Sequence, residues 1–172
     1  MPTIDRLDAE ILVRLSANAR IGIAELAAEL GVSRATAQQR LRRLVDEGVL
    51  LGFRPIIDLG AVGMPIQAVI TLEVDQRLVG SIVEGLRALP EVLEVRLQAG
   101  VVDLHVAVAL ASLEALQQLT AAIVQIEGVR KSVSTFTVAT PLPYRVEPIL
   151  HLITADAGWG RSTPAPQADT TR

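Results

Sequence analysis

Residues 23–50, IAELAAELGVSRATAQQRLRRLVDEGVL, form a run of good helix formers that is interrupted once, at Gly31-Val32-Ser33. Glycine in a helix interior costs about 1 kcal/mol relative to alanine, but it adopts the left-handed backbone of a tight turn cheaply. Ser33 can then cap a second helix by accepting a hydrogen bond from one of its free N–H groups. The segment therefore predicts two helices joined by a tight turn.

The second of these helices has two chemically different sides. Ala37, Leu41 and Leu44 recur with a helical period and predict the side that packs on the preceding helices. The other side and the helix start carry residues that suit a DNA major groove: Ser33, Arg34, Ala35, Thr36, Gln38, Gln39, Arg42 and Arg43. Arginine can bind guanine, glutamine can bind adenine, and free N–H groups at a helix start can bind a phosphate. Arg40 lies beside the apolar side, so we expect it to pair with an acid of the preceding helices.

A solvated helix surface also carries Arg and Gln, and the charges alone are compatible with that plainer interpretation. The surrounding sequence favours DNA. An apolar helical pattern at residues 7–15 predicts a helix before the pair, which completes a helix-turn-helix, and the small Ala27 allows close helix approach. GVLLGFRPIID follows as a β-like segment suited to a wing or linker strand.

Charge and composition limit the other functions. Residues 1–63 contain eight Arg and eight Asp or Glu, and the whole 172-residue chain has a net charge of −3, so a basic surface has to be local. The absence of cysteine excludes disulfides and cysteine-based zinc or thiolate sites, and His105 and His151 alone cannot form a His-rich metal site. We expect no cofactor and no metal. With neither a signal peptide nor a membrane span in the sequence, a cytoplasmic protein is expected.

The second part of the chain, residues 64–140, changes to a β-rich pattern. PIQAVITLEV, EVLEVRLQAG, VDLHVAVAL and VRKSVSTFTVAT read as strands, and VGSIVEGLRAL and SLEALQQLTAAIVQI read as amphipathic helices. The order β-α-β-β-α-β predicts a ferredoxin-like, α+β arrangement with both helices on one sheet face. The other face contains Val and Leu and is left bare, which predicts a homodimer.

The C-terminal extension, residues 141–172, is rich in proline and differs from both the helical and the β-rich parts of the chain. Its apolar stretch ILHLI, residues 149–153, is expected to dock on the body of the protein. The last dozen residues have a composition typical of disorder.

The sequence resembles the Lrp/AsnC (feast/famine) transcriptional regulators over about residues 4–140. Residues 4–53 match that family's DNA-binding domain almost position for position, through features that include Ile4-Asp5, Leu7-Asp8, Gly31-Val32-Ser33, Arg40-Leu41 and Gly48-Val49-Leu50. The resemblance implies a winged helix-turn-helix domain at residues 1–52, a linker or wing strand at 53–63 and an effector-binding and oligomerisation (RAM) domain at 64–140. It also implies double-stranded DNA as a partner and homodimers that assemble into octamers.

The resemblance further implies a small-molecule effector, usually an amino acid, bound between subunits near the turn joining the second and third strands. The family pattern there is Thr-Gly, one residue, an aromatic residue and Asp, and this chain has Ala99-Gly100-Val101-Val102-Asp103. Gly100 and Asp103 match this pattern. Ala99 lacks the hydroxyl of the family's threonine and Val102 lacks the planar ring of its aromatic residue, which favours an apolar effector. An ordinary β-turn without a ligand is an equal alternative, because Gly and Asp both favour turns.

Two other functional classes are compatible with parts of the sequence. The same two-domain layout resembles the sirohaem decarboxylases, in which case His105 and Arg96 are the first candidates for an acid and an anion clamp. No Ser-His-Asp set and no Gly-rich phosphate loop supports catalysis, so the prediction is a regulator and not an enzyme. A purely structural oligomeric protein would leave the pattern at residues 23–50 unexplained.

Overall fold

The structure is a computed structural model, and it describes residues 4–160 of the chain. In chain order its elements are α1 (Arg6–Ala17), α2 (Ile23–Glu29), α3 (Arg34–Asp46), β1 (Ile66–Val74), a 3-10 turn (Gln76–Leu78), α4 (Val79–Arg87), β2 (Val92–Leu97), β3 (Leu104–Leu110), α5 (Leu113–Val124), β4 (Val129–Phe136) and α6 (Glu147–Ile153). These residues divide into a helical unit, residues 4–55 with 143–160, and a sheet unit, residues 56–142.

The helical unit is built around the turn that the sequence predicts between α2 and α3. Gly31 has φ +65°, the left-handed backbone that favours glycine. Ser33 caps α3, and its Oγ accepts a hydrogen bond from the Thr36 N–H at 3.0 Å. Apolar side chains from α1, α2 and α3 form one buried core, and Ala27 is buried among them, as expected for a close approach of the helices. The prediction of two helices joined by a tight turn is confirmed.

The segment after α3 differs from the wing or linker strand predicted for residues 53–63. Residues 51–58 belong to no strand and are exposed, and Leu51 is 92% exposed. The first strand of the described chain begins later, at Ile66. A β-like sequence forms a strand only where another strand offers its N–H and C=O groups, and no strand of this chain pairs with this segment between residues 4 and 160.

The sheet unit has the predicted β-α-β-β-α-β order. Its four strands are arranged β2-β3-β1-β4, and every neighbouring pair is antiparallel. Alternate residues of β1 are buried, starting from Ala68, and they pack with α4 and α5 in a second apolar core. The ferredoxin-like prediction is confirmed.

The opposite face of the sheet carries the other set of alternating residues. Val69 of β1 and Ala107 of β3 are paired in register, and Val133 of β4 pairs with Thr71. Val133 is 49% exposed. This face therefore combines apolar and polar groups at the surface of the single chain, and neither α4 nor α5 packs on it.

The C-terminal extension returns to the helical unit. Leu150 of α6 is 9% exposed and joins the core formed by α1, α2 and α3, and Val146 and Trp159 pack against the same core. The expectation that residues 149–153 dock on the body of the protein is confirmed, and residues 143–160 group with residues 4–55 in the helical unit. The disorder predicted for the last dozen residues lies outside the described residues. Every helix between residues 4 and 160 is too short or too polar to cross a membrane.

Candidate nucleic-acid interface and effector turn

The surface of α3 separates into a buried side and an exposed side. Ala37 and Leu44 are fully buried, in agreement with the predicted packing side. The exposed residues among the predicted contacts are Ser33, Arg34, Ala35, Gln38, Gln39 and Arg42, and Thr36 is half-buried. One helix thus presents two amides and two guanidinium groups to solvent along one side, which is the set of donors and acceptors needed to bind base edges and phosphates.

The start of α3 is fixed by its cap. The Ser33 and Thr36 hydroxyls lie 2.8 Å apart, within hydrogen-bond distance, and the Ser33 carbonyl accepts from the Ala37 N–H. Helix geometry leaves the first N–H groups without intrahelical acceptors, and the helix dipole gives this end partial positive charge. The beginning of α3 is therefore suited to an anionic oxygen.

Arg40 lies on the side of α3 that faces α1. Its Nη1 donates to Asp5 Oδ2 at 2.6 Å and to Asp8 Oδ1 at 3.2 Å. The prediction that Arg40 pairs with an acid of the preceding helices is confirmed. The guanidinium is mostly buried, with 17% of the side chain exposed, so Arg40 holds α3 to α1 and is withdrawn from the exposed surface.

Arg43, which the sequence places among the DNA contacts, has a protein partner in the structure. Its Nη2 donates to Asp8 Oδ2, and its Nε lies 3.9 Å from Glu47 Oε1. The side chain is 37% exposed. Because Asp8 is fully buried, Arg43 and Arg40 together provide the positive charge that this carboxylate needs.

The sequence does not predict that Asp8 is the acid that binds Arg40 and Arg43, although a local signal for the position of Asp8 exists. Asp5 Oδ1 accepts from the Asp8 N–H and Asp8 Oδ2 accepts from the Asp5 N–H, each at 3.0 Å, which forms a capping box at the start of α1. The spacing Asp-x-x-Asp before an apolar helical run is the pattern of such a box. It predicts an ordered pair of carboxylates, and it does not identify the arginines that bind them.

The two carboxyl groups of this capping box titrate differently. Burial raises the pKa of Asp8, and the nearby charge of Asp5 acts in the same direction against the arginines. Burial alone would also raise the pKa of Asp5, but the Asp8 N–H and the Arg40 guanidinium outweigh it and lower that pKa. Arg40 has its pKa raised, since its two acidic partners outweigh its burial.

The turn between β2 and β3 contains the predicted effector residues Ala99, Gly100, Val102 and Asp103. Asp103 is tied into the sheet unit: its Oδ2 accepts from the Val74 N–H at 2.8 Å and its Oδ1 from the Gln76 side chain at 3.2 Å. These bonds lower the pKa of Asp103, because they favour its charged form. They connect the β2–β3 turn to the end of β1.

Gly100 is not explained by the geometry of this turn. It lies outside the left-handed region, and a Cβ added to it would meet no atom within 4 Å. Ala99 and Val101 are exposed beside it, and Val102 is half-buried. The turn is therefore open to a neighbouring molecule on the Gly100 side.

The two candidate residues for catalysis lie on neighbouring strands. Arg96 of β2 and His105 of β3 are paired in register. The Arg96 guanidinium is bound to Glu94 at 2.8 Å, so its charge is balanced within the strand. Residues 4–160 contain no group of three or more His, Asp or Glu side chains that could hold a metal ion.

Comparison with known proteins gives two family matches along the chain. Residues 4–50 match the winged helix-turn-helix DNA-binding family, and residues 67–146 match the Lrp/AsnC ligand binding domain. The two matches cover the helix-turn-helix and the sheet unit in the order in which the structure contains them.

Relatives match over most of the same span. The HTH-type transcriptional regulator AldR of Mycobacterium tuberculosis is 38% identical over 109 residues, which are 60% of this chain and 61% of AldR. The HTH-type transcriptional regulator Ptr1 of Methanocaldococcus jannaschii is 32% identical over 67% of this chain and 76% of Ptr1. A transcriptional regulator of Neisseria meningitidis, solved as a complex with L-Met, has the same fold, with a TM-score of 0.78 at 21% identity over 86% of this chain and 99% of that one. The chain belongs to the Lrp/AsnC family of helix-turn-helix transcriptional regulators.

Proposed function

We propose that this regulator reads duplex DNA with α3, which enters a major groove on each half of a partly palindromic site. The observation that carries the proposal is the division of α3: Gln38, Gln39 and Arg42 are exposed on one side, while Arg40 anchors the other side to α1. A helix that is fixed to the protein on one side and carries exposed amides and guanidinium groups on the other has the arrangement needed for direct base readout.

The predicted contacts divide by chemistry. Gln38 and Gln39 suit base edges, Ala35 and Thr36 suit thymine methyl groups, and Arg34 and Arg42 suit guanine or phosphate. Ser33, which caps α3, suits a phosphate at the helix start. A phosphate contact by Arg43 remains a prediction, and it has to compete with the bond between Arg43 and Asp8.

We infer that the DNA-binding form is at least a homodimer joined through the sheets. The sheet face opposite α4 and α5 carries Val69, Ala107 and Val133 at the surface of the single chain, and a second copy would cover them. Two helical units per dimer match the two halves of a partly palindromic site. Assembly of these dimers to an octamer is a further proposal that rests on the family. A cytoplasmic location is also proposed, because it is consistent with DNA as the partner.

We propose that a small effector, an apolar amino acid such as leucine or valine, binds at the turn formed by residues 99–103 and alters assembly. Support comes from the match to the Lrp/AsnC ligand binding domain and from the open space beside Gly100. Val102 replaces the aromatic wall of the family pattern, which favours apolar effectors. An effector shifts assembly only by its differential affinity for the two states.

Calorimetric titration of the full chain with each of the twenty amino acids tests the effector proposal. We expect apolar amino acids to bind and polar ones to bind weakly or not at all. Asp103 matches the acid of the family pattern, and we expect its carboxylate to hold the ammonium group of the amino acid. If the wild type binds and Asp103→Asn binds equally well, that role is contradicted, and if no amino acid binds, the turn has only its structural role.

A genome-wide map of bound sites tests the regulatory function. We expect enriched sites that share one partly palindromic motif and lie near promoters. Bound sites without a common motif would contradict sequence-specific regulation. Catalysis on a tetrapyrrole, the alternative from another class, predicts a coloured purified protein, and the Arg96–Glu94 ion pair weakens Arg96 as an anion clamp.

A further inference from the structure

The C-terminal extension contacts the helical unit at three places, and its helix α6 lies beyond the residues that either family match covers. The first contact is apolar. Leu150 packs into the core of α1, α2 and α3, whereas Leu152, on the same helix, is 72% exposed. The extension is thus fixed by one side of α6, and the two leucines differ in burial but not in chemistry.

The second contact joins the segment after α6 to the first residue of α1. The Arg6 N–H donates to the Gly158 carbonyl at 3.2 Å. The Arg6 guanidinium carbon lies 6.0 Å from the centre of the Trp159 ring, a cation–π distance. The N-terminal end of α1 therefore has a partner outside the helix-turn-helix.

The third contact lies against the ion pair that holds α3. A Cβ on Gly160 would be 2.6 Å from Nη2 of Arg40 and 3.2 Å from Oδ2 of Asp5, and the Gly160 backbone has φ +118°. Only glycine fits this position without a shift of its neighbours. The backbone at Gly160 thus covers the Arg40–Asp5 pair, and an ion pair shielded from water is stronger than an exposed one.

We propose that Leu150, Trp159 and Gly160 are positioning residues for DNA recognition. They hold α1 and close over the Arg40–Asp5 pair, and that pair sets the orientation of α3. None of the three is assigned to the α3 surface that faces DNA, so they act through Arg40. The proposal rests on the DNA-binding function of α3, and it makes the extension part of the DNA-binding unit.

Trp159 allows a direct test, because it is the only tryptophan of the chain. Its emission reports whether the extension is docked, and duplex affinity can be measured on the same full-length samples. The duplex is one recovered by selection from a random pool, with a scrambled duplex as the non-specific competitor. Circular dichroism checks that each variant is folded.

The first pair of variants separates the two sides of α6. We expect Leu150→Ser to shift the Trp159 emission to longer wavelength and to weaken the selected duplex about tenfold, the effect of losing one well-oriented base contact. Affinity for the scrambled duplex should fall less. Leu152→Ser should leave emission and affinity as in the wild type, and an equal loss of affinity in both variants would overturn the proposal.

The second pair leaves the Leu150 contact in place and decides the question if Leu150→Ser unfolds the helical unit. Gly160→Ala places a Cβ against Arg40 and should weaken the selected duplex, again about tenfold. Gly158→Ala is the control, because a Cβ there meets no atom within 4 Å and its carbonyl can still accept from Arg6. It should bind as the wild type does.

The DNA-binding role of α3 and the positioning role of the C-terminal extension can be contradicted separately. A wild type that binds no selected duplex more tightly than the scrambled one would contradict the DNA-binding proposal itself. A wild type that binds specifically, together with folded Leu150→Ser and Gly160→Ala variants of unchanged affinity and selectivity, would overturn only the positioning role.

Discussion

Arg40 of α3 donates to Asp5, the residue that caps α1, across 2.6 Å. The same arginine reaches Asp8, which is fully buried and also accepts from Arg43. Two arginines from one helix thus meet two carboxylates from the start of another. Buried ion pairs are weak evidence for stability, but the loss of one partner leaves a charge uncompensated. The network therefore fixes where α3 lies more firmly than apolar packing alone would.

Arg40→Met tests this network. The substitution keeps an unbranched side chain but leaves Asp5 without its arginine and the buried Asp8 with Arg43 alone, and we expect the free energy of unfolding of the helical unit to fall by about 3 kcal/mol. Urea denaturation followed by Trp159 emission measures it. Arg34→Met is the control, because Arg34 lies exposed at the start of α3. An Arg40→Met protein as stable as the control would contradict the network's role.

Arg42 and Arg43 are neighbours in sequence with different surroundings, and their alanine variants should behave differently. Arg42 is exposed, so Arg42→Ala should lower the slope of log affinity against log salt by about one and leave stability unchanged. Arg43→Ala should also lower stability, because Asp8 loses a partner. Salt titrations of duplex binding and urea denaturation separate the two effects. Identical behaviour of the two variants would contradict the assignment.

Asp103 predicts a pH dependence for the sheet unit. The Val74 N–H and the Gln76 amide hold the pKa of Asp103 below its ordinary value of 3.8. A carboxyl whose folded pKa is lowered contributes stability above its unfolded pKa and loses it as the pH falls through the folded pKa. Asp103→Asn should therefore unfold at lower urea than the wild type at neutral pH, with the difference shrinking below about pH 3.8. A difference that stays constant to low pH would contradict this.

The fragment of residues 64–140, which contains every strand of the sheet unit, should form a dimer. It has its own apolar core, separate from that of the helical unit, and its outer sheet face carries Val69, Ala107 and Val133. Light scattering at micromolar concentration measures the mass. Val133→Lys should shift the fragment toward monomer, because burying a lysine at the subunit junction costs free energy that the exposed lysine of the monomer does not. A folded wild-type monomer would contradict dimerisation through the sheet.

The features that the sequence predicts well are those with a local physical cause. Gly31 and Ser33 identify the turn and the cap because both act within a few residues of chain. Strand alternation and helical periods predict the sheet unit for the same reason. The pairing of Arg40 with an acid is predictable because Arg40 lies beside the apolar side of α3, where a buried positive charge needs an acidic partner.

The features that the sequence does not predict depend on distant partners. Arg43 is half-buried because Asp8, 35 residues earlier, accepts from it. The apolar stretch around Leu150 predicts docking, but nothing local identifies α1 as the surface. The wing strand expected near Phe53 is absent from the described chain. A strand forms only beside a second strand, and the local sequence does not show that no strand of the described chain lies there.

The central claim is that the exposed side of α3 reads base sequence, and selection from a random DNA pool tests it most directly. The wild type should recover a partly palindromic consensus. Gln39→Ala should recover a consensus relaxed at one position of each half, a loss of about 1–3 kcal/mol of discrimination there. Recovery of no consensus by the folded wild type, or the same consensus with undiminished discrimination by Gln39→Ala and by Gln38→Ala, would contradict the claim.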